Sequence, residues 1–408
     1  MRVITTTQEL HALCADFARA PYVTVDTEFL RERTYWSQLC LVQLARPAYP
    51  GEQEGAAAIV DPLAEGIDLA SLFALMAAPA TVKVFHAARQ DIEIFHHLGR
   101  IVPQPLFDTQ VAAMVLGFGE QVGYETLVRK VVKADLDKSS RFTDWSRRPL
   151  SDRQLAYALG DVTHLRRIYE VLSARLAETG RSEWVAEEMA TLSDPATYEI
   201  DPDEAWRRVK ARSQSPDTLA VVRELARWRE LSARERDVPR SRLLKDDALA
   251  EIAAVKPRDT EALGKLRLLQ RESRRPETAE GILAAVARGV ACPPHERPVL
   301  APTPRRREGS AAIADLLRVF LKARSDELGI ASKILASSSD LEALAGEDDP
   351  QIPALQGWRY KVFGADALRI KHGELALCAS RRGVTVIDAP QDPGRAGSEG
   401  RRRGGSVG

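Results

Sequence analysis

Short apolar runs alternate with stretches of helical period over the first half of the chain, and helical patterning takes over in the second. Tyr22–Asp26, Ser37–Leu44, Ala57–Val60 and Thr81–Phe85 are compact runs rich in apolar and β-branched residues, the mark of strands. Leu69–Met76, Asp91–Leu98, Thr109–Leu116, Tyr124–Val132 and a long stretch from Asp152 to Leu176 carry apolar residues at helical spacing. Ser151-Asp152, just after Pro149, is a ready N-cap for the long helix. Strands first and helices gathering later predict a mixed sheet flanked by helices.

Asp194-Pro195 and Asp201-Pro202 mark a linker, and the helical pattern resumes beyond it. Leu219–Leu231, Asp246–Ala254 and Glu261–Leu269 form one amphipathic set; after a Pro-rich connector from Cys292 to Pro304, Ala312–Ala323, Asp340–Ala345 and Gly357–Phe363 form a second. Val238-Pro-Arg-Ser-Arg-Leu-Leu and Ile330-Ala-Ser-Lys-Ile-Leu occupy corresponding places in the two sets, a repeat of a whole small domain rather than a solenoid. The expected domains are therefore 1–195, 205–290 and 308–385, with 391–408, rich in Gly, Ser and Arg, a disordered tail.

Composition supports this plan. A chain of 408 residues is long for one domain, and 44% hydrophobic residues are enough for real cores. The four cysteines, Cys14, Cys40, Cys292 and Cys378, lie far apart without metal-ligand spacing. That argues against a disulfide framework or zinc site and fits a reducing compartment. The N-terminal stretch lacks the apolar core of a signal peptide, and no run approaches a membrane span. A cytoplasmic protein with no membrane contact is expected. Formal net charge is zero, but Met1–Asp194 carries a net −6 and Ala205–Arg288 a net +7. Ordinary solvated surface explains such an offset as well as a division between cation-holding and polyanion-meeting parts does.

Three local patterns carry candidate chemistry. In Val23-Thr-Val-Asp26-Thr-Glu28-Phe29 the two acids are two apart on a strand and share a face. Paired carboxylates repel unless a cation lies between them, and oxygen ligands suit Mg²⁺ or Mn²⁺. Val84-Phe85-His86 runs into a turn, and Asp91 opens the helix that follows. Tyr157 and Asp161 are four apart on the long helix and share a face. Singly, each has a structural explanation: solvated surface, a dipole-stabilised first turn, a packing coincidence. Together and in order, four carboxylates and a Tyr are what a two-metal phosphodiesterase needs.

This combination resembles the tyrosine-bearing subgroup of the DEDD exonuclease superfamily, and within it the bacterial ribonuclease D family. Asp26-Thr-Glu28-Phe29, His86 through Asp91, and Tyr157 through Asp161 are similar to that family's three motifs. Phe107-Asp108-Thr109-Gln110, Leu136-Asp137-Lys138-Ser139 and Thr143-Asp144-Trp145 resemble it in order and spacing. The two helical sets resemble HRDC modules (helicase and RNase D C-terminal).

The resemblance implies an α/β ribonuclease H-like exonuclease domain followed by two small all-α HRDC-like domains. It implies a 3′-5′ exoribonuclease that releases 5′-mononucleotides, with precursor tRNA and other small structured RNAs as substrates; apart from the resemblance, a monomer is expected. Two divalent cations, Mg²⁺ or Mn²⁺, would be held by Asp26, Glu28, Asp91 and Asp161, and Tyr157 would orient the attacking water. Phe29, His86, Lys138, Arg141, Arg147 and Arg148 are candidates for holding substrate. Arg207, Arg208, Lys210, Arg212 and Arg229 are candidates for RNA handling in the first helical domain. Trp145 is either a base-stacking platform or a loop anchor. The alternatives are a DNA-directed exonuclease of the same superfamily, which the motifs do not separate, and a binding protein without chemistry, against which the complete acid set speaks.

Overall fold

The computed structural model describes residues 2–136, 143–210, 213–269, 275–300, 308–381 and 383–389. Lys138, Arg141 and Arg212, and the expected tail 391–408, lie outside the described residues. Two compact units emerge, one of Met1–Gln110, Gly123–Ala174 and Glu188–Ala301, the other of Val111–Val122, Arg175–Glu187 and Pro302–Gly408.

A six-stranded mixed sheet organises the first unit. Its strands are β1 (Val3–Ile4), β2 (Tyr22–Leu30), β3 (Gln38–Ala45), β4 (Ala57–Val60), β5 (Val82–Phe85) and β6 (Leu106–Asp108), in spatial order β1-β4-β3-β2-β5-β6. β3 runs antiparallel to β2 and β4, while β2–β5, β5–β6 and β1–β4 are parallel. Central strands are buried on both faces and read as near-continuous apolar runs, as in β3. The pattern hid β1 and β6, two and three residues long, because so few residues carry no period.

Helices α1 (Thr7–Phe17), α2 (Ala70–Ala77), α3 (Arg89–Gly99), α4 (Thr109–Val115), α5 (Tyr124–Leu127), α6 (Asp152–Glu178) and α7 (Ser182–Leu192) accompany these strands in sequence. Ser151 caps α6 as expected: its hydroxyl accepts from Gln154 N at 3.3 Å, and Gln154 Oε1 accepts from Ser151 N at 2.9 Å, a reciprocal capping box.

The first helical domain belongs to the same unit. It comprises α8 (Pro216–Glu235), α9 (Arg240–Leu243), α10 (Asp246–Val255), α11 (Thr260–Gly264) and α12 (Pro276–Ala291). Leu219, Val222, Leu225, Leu249, Ile252, Ile282 and Val286 close its core. It meets the sheet domain through the β2–β3 connection. Tyr35 and Trp36 pack with Ala233, Val238 and Leu243, their backbone N–H groups both donate to Asp237 Oδ1, and the Tyr35 hydroxyl bonds to buried Glu230.

In the second unit, α13 (Ser310–Leu328), α14 (Ser332–Leu335), α15 (Ser338–Gly346), α16 (Gly357–Arg359) and α17 (Ala365–Lys371) pack together, with the Phe320 and Phe363 rings stacked at 5.2 Å. A two-stranded antiparallel hairpin, β7 (Leu375–Ser380) and β8 (Gly383–Asp388), follows these helices. Among the described residues no helix is long and apolar enough to cross a membrane.

Candidate active site

Strand β2 runs past its expected end at Asp26 through Leu30, so both acids of the D-x-E pair sit on one continuous strand. Its register against β3 shifts between Glu28 and Phe29. Such a bulge bends a strand and re-aims its side chains, a device found beside active sites. Two residues before Asp26, the buried Thr24 hydroxyl donates to the Val162 carbonyl at 2.8 Å. That bond holds α6 against β2 next to Asp161. The result is local: oxygens of Asp26, Glu28 and Asp161 lie within 4.8 Å of one another. Asp91, in the first turn of α3, is buried beside them, its Oδ1 accepting the Thr27 hydroxyl at 2.5 Å.

Burial and mutual repulsion dominate the electrostatics. Burial, then the charges of Asp26, Asp161 and Asp91, pushes Glu28 up to about 9. Burial alone raises Asp26 despite a bond from the Thr27 backbone. Asp91 is raised by burial and then by Asp26, against the Thr27 hydroxyl bond. Four acids held this way are stable as carboxylates only with positive charge among them. The donors are all carboxylate oxygens, with no Cys or His in the cluster, which suits a hard divalent cation such as Mg²⁺ or Mn²⁺.

Asp26, Glu28, Tyr157 and Asp161 line one cavity of about 410 Å³ together with Thr27, His86 and Tyr124. Tyr157, Asp161 and Leu165 face it from the same side of α6, while Ala158 and Val162, next to them in sequence, are buried. Phe29 is half-buried at the end of this strand region. Trp145 is buried with Cys40, Leu41 and Ala158 and so anchors its loop; its ring lies 6.2 Å from that of Tyr157.

The basic candidates divide. Arg147 is exposed and bonded to Asp144 at 3.2 Å. Arg148 has a different place from the one expected. Its Nε and one Nη bond both oxygens of Asp61, and the remaining N–H groups go to the carbonyls of Trp145, Arg147 and Cys40. All five donors are engaged, leaving none for a phosphate. Arg229 is likewise buried, with one Nη on the Leu244 carbonyl and Asp246 Oδ1. Arg207 bonds to Glu204, while Arg208 and Lys210 are exposed. Arg208, Arg229, Arg240 and Lys245 border a cleft of about 520 Å³ with Arg31.

Two contributors escaped the sequence reading. Tyr124 lines the cavity, its ring 5.5 Å from His86 and its hydroxyl donating to the Gly160 carbonyl at 3.1 Å. Burial, then the charges of Asp161 and Asp26, raises its phenol well above the ordinary value. The signal was present, since Tyr124 opens a helix the pattern predicts, but nothing local tied it to the acids. Thr27 was passed over as the spacer in D-x-E.

Comparison with known proteins bears on the family of the whole chain. The 3′-5′ exonuclease family profile matches residues 1–177, and the HRDC domain profile matches residues 218–286. The chain is 56% identical to ribonuclease D of Jannaschia sp. over 94% of its own length and 99% of that protein's. It is 48% identical to ribonuclease D of Nitrobacter hamburgensis over 95% and 100%. Its structure is similar to that of Escherichia coli RNase D, described as an exoribonuclease involved in structured RNA processing, with a TM-score of 0.78, 29% identity, and coverage of 91% of this chain and 98% of that one. The chain belongs to the ribonuclease D family of 3′-5′ exoribonucleases.

Proposed function

We propose that the cavity between β2, α5 and α6, with Asp91 of α3 buried beside it, removes nucleotides one at a time from RNA 3′ ends, releasing 5′-mononucleotides, with two divalent cations held by Asp26, Glu28, Asp91 and Asp161. The observation that carries this reading is the cluster itself: three carboxylates within 4.8 Å and a fourth buried beside them. Bound cations supply a nucleophilic water at neutral pH and charge stabilisation at the leaving 3′ oxygen. Asp26 would serve both cations, Glu28 and Asp161 the one that supplies the water, and Asp91 the other.

Tyr157 orients the attacking water through its hydroxyl. A phenol with a reference pKa near 10 is a poor base at neutral pH, so positioning is its part. Phe29 and His86 contact the terminal nucleotide, and Arg147 meets the backbone outside the cavity. Arg208 and Lys210, exposed on the first helical domain, handle RNA further from the 3′ end by charge. The natural substrates are precursor tRNA and other small structured RNAs, a reading supported by the activity described for the E. coli relative. A cytoplasmic location fits the four free cysteines, and the proposed state is a monomer.

A time course on a 3′-extended tRNA precursor, with and without Mg²⁺ or Mn²⁺ and beside a matched DNA 3′ overhang, tests this directly. Mononucleotides should accumulate from RNA only with metal, and Asp26→Asn should abolish their release while RNA binding persists. Full activity in that variant, freed of host nucleases, would sink the metal assignment. Faster loss of the DNA strand would move the substrate to DNA.

A further inference from the structure

The motif Phe107-Asp108-Thr109-Gln110 has no part in the hydrolysis described above, yet its Asp108 and Thr109 side chains converge on the turn that precedes Asp91. β5 ends at Phe85, directly beside Asp108 in the parallel register with β6. The chain then turns through His86 and Ala87 into α3, with Ala87 at φ 59°, the left-handed region a non-glycine residue avoids. Helix α3 has no cap of its own: its N-cap is Ala88, which offers no side-chain acceptor.

Asp108 supplies what is missing. Its Oδ1 accepts from Ala87 N at 3.0 Å and its Oδ2 from Ala88 N at 2.8 Å. Oδ1 also accepts from Gln110 N at 2.7 Å, which ties the carboxylate to its own strand end. The neighbouring Thr109 hydroxyl donates to the Phe85 carbonyl at 3.0 Å and sits 3.0 Å from His86 Nδ1. Asp108 and Thr109 are 3% and 0% exposed, so no water replaces these bonds cheaply. A carboxylate at a helix N-terminus is also favoured by the helix dipole. The cap fixes the left-handed turn and the start of α3, and Asp91 follows two residues into that helix. From the other side, Thr27 holds one Asp91 oxygen.

We propose that Asp108 is a positioning residue for the reaction: by capping α3 from the neighbouring strand, it sets the place of Asp91 and so the grip on one of the two cations. This rests on the reading of Asp91 as a metal ligand. Asp91→Asn serves as the control that separates the two. If that control still binds two Mn²⁺ ions, the ligand reading fails, whatever Asp108 does.

Asp108→Asn is the informative variant, since it keeps shape and volume but turns one acceptor into a donor facing an N–H. Mn²⁺ binding to the full-length protein, followed by calorimetry and electron paramagnetic resonance, should show one site weakened about tenfold to a hundredfold and the other unchanged, the scale at which groups behind metal ligands act. kcat on a short RNA should fall by a similar factor with KM unaltered. Ala87→Gly, which relaxes the left-handed position, should restore part of both losses in the Asp108→Asn background. Wild-type Mn²⁺ binding at both sites, or equal weakening at both with no rescue by Ala87→Gly, would overturn the proposal. If Asp108→Asn does not fold, the Asp108→Asn/Ala87→Gly pair takes its place and is judged by the same comparison of the two sites.

Discussion

Arg148 grips Asp61 with two parallel hydrogen bonds, Nε to Oδ2 at 2.6 Å and Nη2 to Oδ1 at 2.7 Å. Asp61 follows β4 directly and is buried, so the pair fastens the loop before α6 to the sheet. Arg148→Ala should therefore destabilise the protein by about 2–3 kcal/mol, the cost of leaving a largely buried carboxylate unpaired. Urea unfolding measures this, and the KM for RNA should stay within about twofold. A variant of wild-type stability whose KM rises tenfold or more would return Arg148 to the substrate.

Arg148 also shows where sequence stops being informative. An Arg beside a candidate active-site helix reads as a phosphate ligand, and only the fold reveals a partner 87 positions away. The acids were legible because strand and helix periods alone place Asp26 with Glu28, and Tyr157 with Asp161, on common faces. Their convergence was not, because it depends on the Thr24 bond to Val162 and on the crossing of β2 by α6. Tyr124, Thr27 and Asp108 act through neighbours distant in sequence, and no local pattern announces such roles. By contrast, α1 and α12 carry amphipathic patterns of their own, and the β7–β8 hairpin is a short ribbon exposed along most of its length.

Tyr157→Phe removes one oxygen from the cavity and leaves every carboxylate in place. kcat should drop roughly a hundredfold, the usual scale for a group that orients or relays a proton, while metal affinity and RNA binding remain. Single-turnover cleavage of a short labelled RNA, paired with Mn²⁺ calorimetry, separates these effects. Loss of metal binding in this variant would show that the phenol supports the site rather than the water.

The crowded carboxylates predict a reversed pH dependence for the metal-free protein. Glu28, pushed up to about 9, holds a proton in the folded state at pH values where the unfolded chain has released it. The folded state then binds more protons than the unfolded one, so stability falls as pH rises from the ordinary carboxylate range toward the folded pKa, by at most about 1.4 kcal/mol per pH unit for each such group. Asp26 and Asp91 shift in the same direction. Melting in EDTA should thus occur at lower temperature at about pH 9 than at about pH 6, and saturating Mg²⁺ should remove most of the difference by stabilising the charged form. A metal-free Tm that climbs with pH would contradict the arrangement.

Glu230 governs how the first helical domain is held to the sheet. Only 2% of its side chain is exposed, yet it receives bonds from the Tyr35 hydroxyl, Arg240 and Arg234. Burial pushes its pKa up, but the bonds from Arg240 and Tyr35 and the charges of both arginines outweigh it, leaving the carboxyl below its ordinary value. A depressed folded pKa gives stability that is present above the ordinary Glu range and lost as pH falls through the folded value. Glu230→Gln should cost about 2–3 kcal/mol, because it strands two arginines and the Tyr35 hydroxyl around a neutral amide. The loss should be local. Hydrogen exchange should speed up in α8, in α9 and in the Tyr35–Trp36 segment, while mononucleotide release from a short RNA persists at near wild-type kcat. Release from a long structured RNA should suffer more, as expected if the proposed RNA-handling residues Arg208 and Lys210 act from the docked helical domain. Uniform exchange across the sheet, with equal losses on short and long RNA, would place Glu230 in global folding instead of in domain docking.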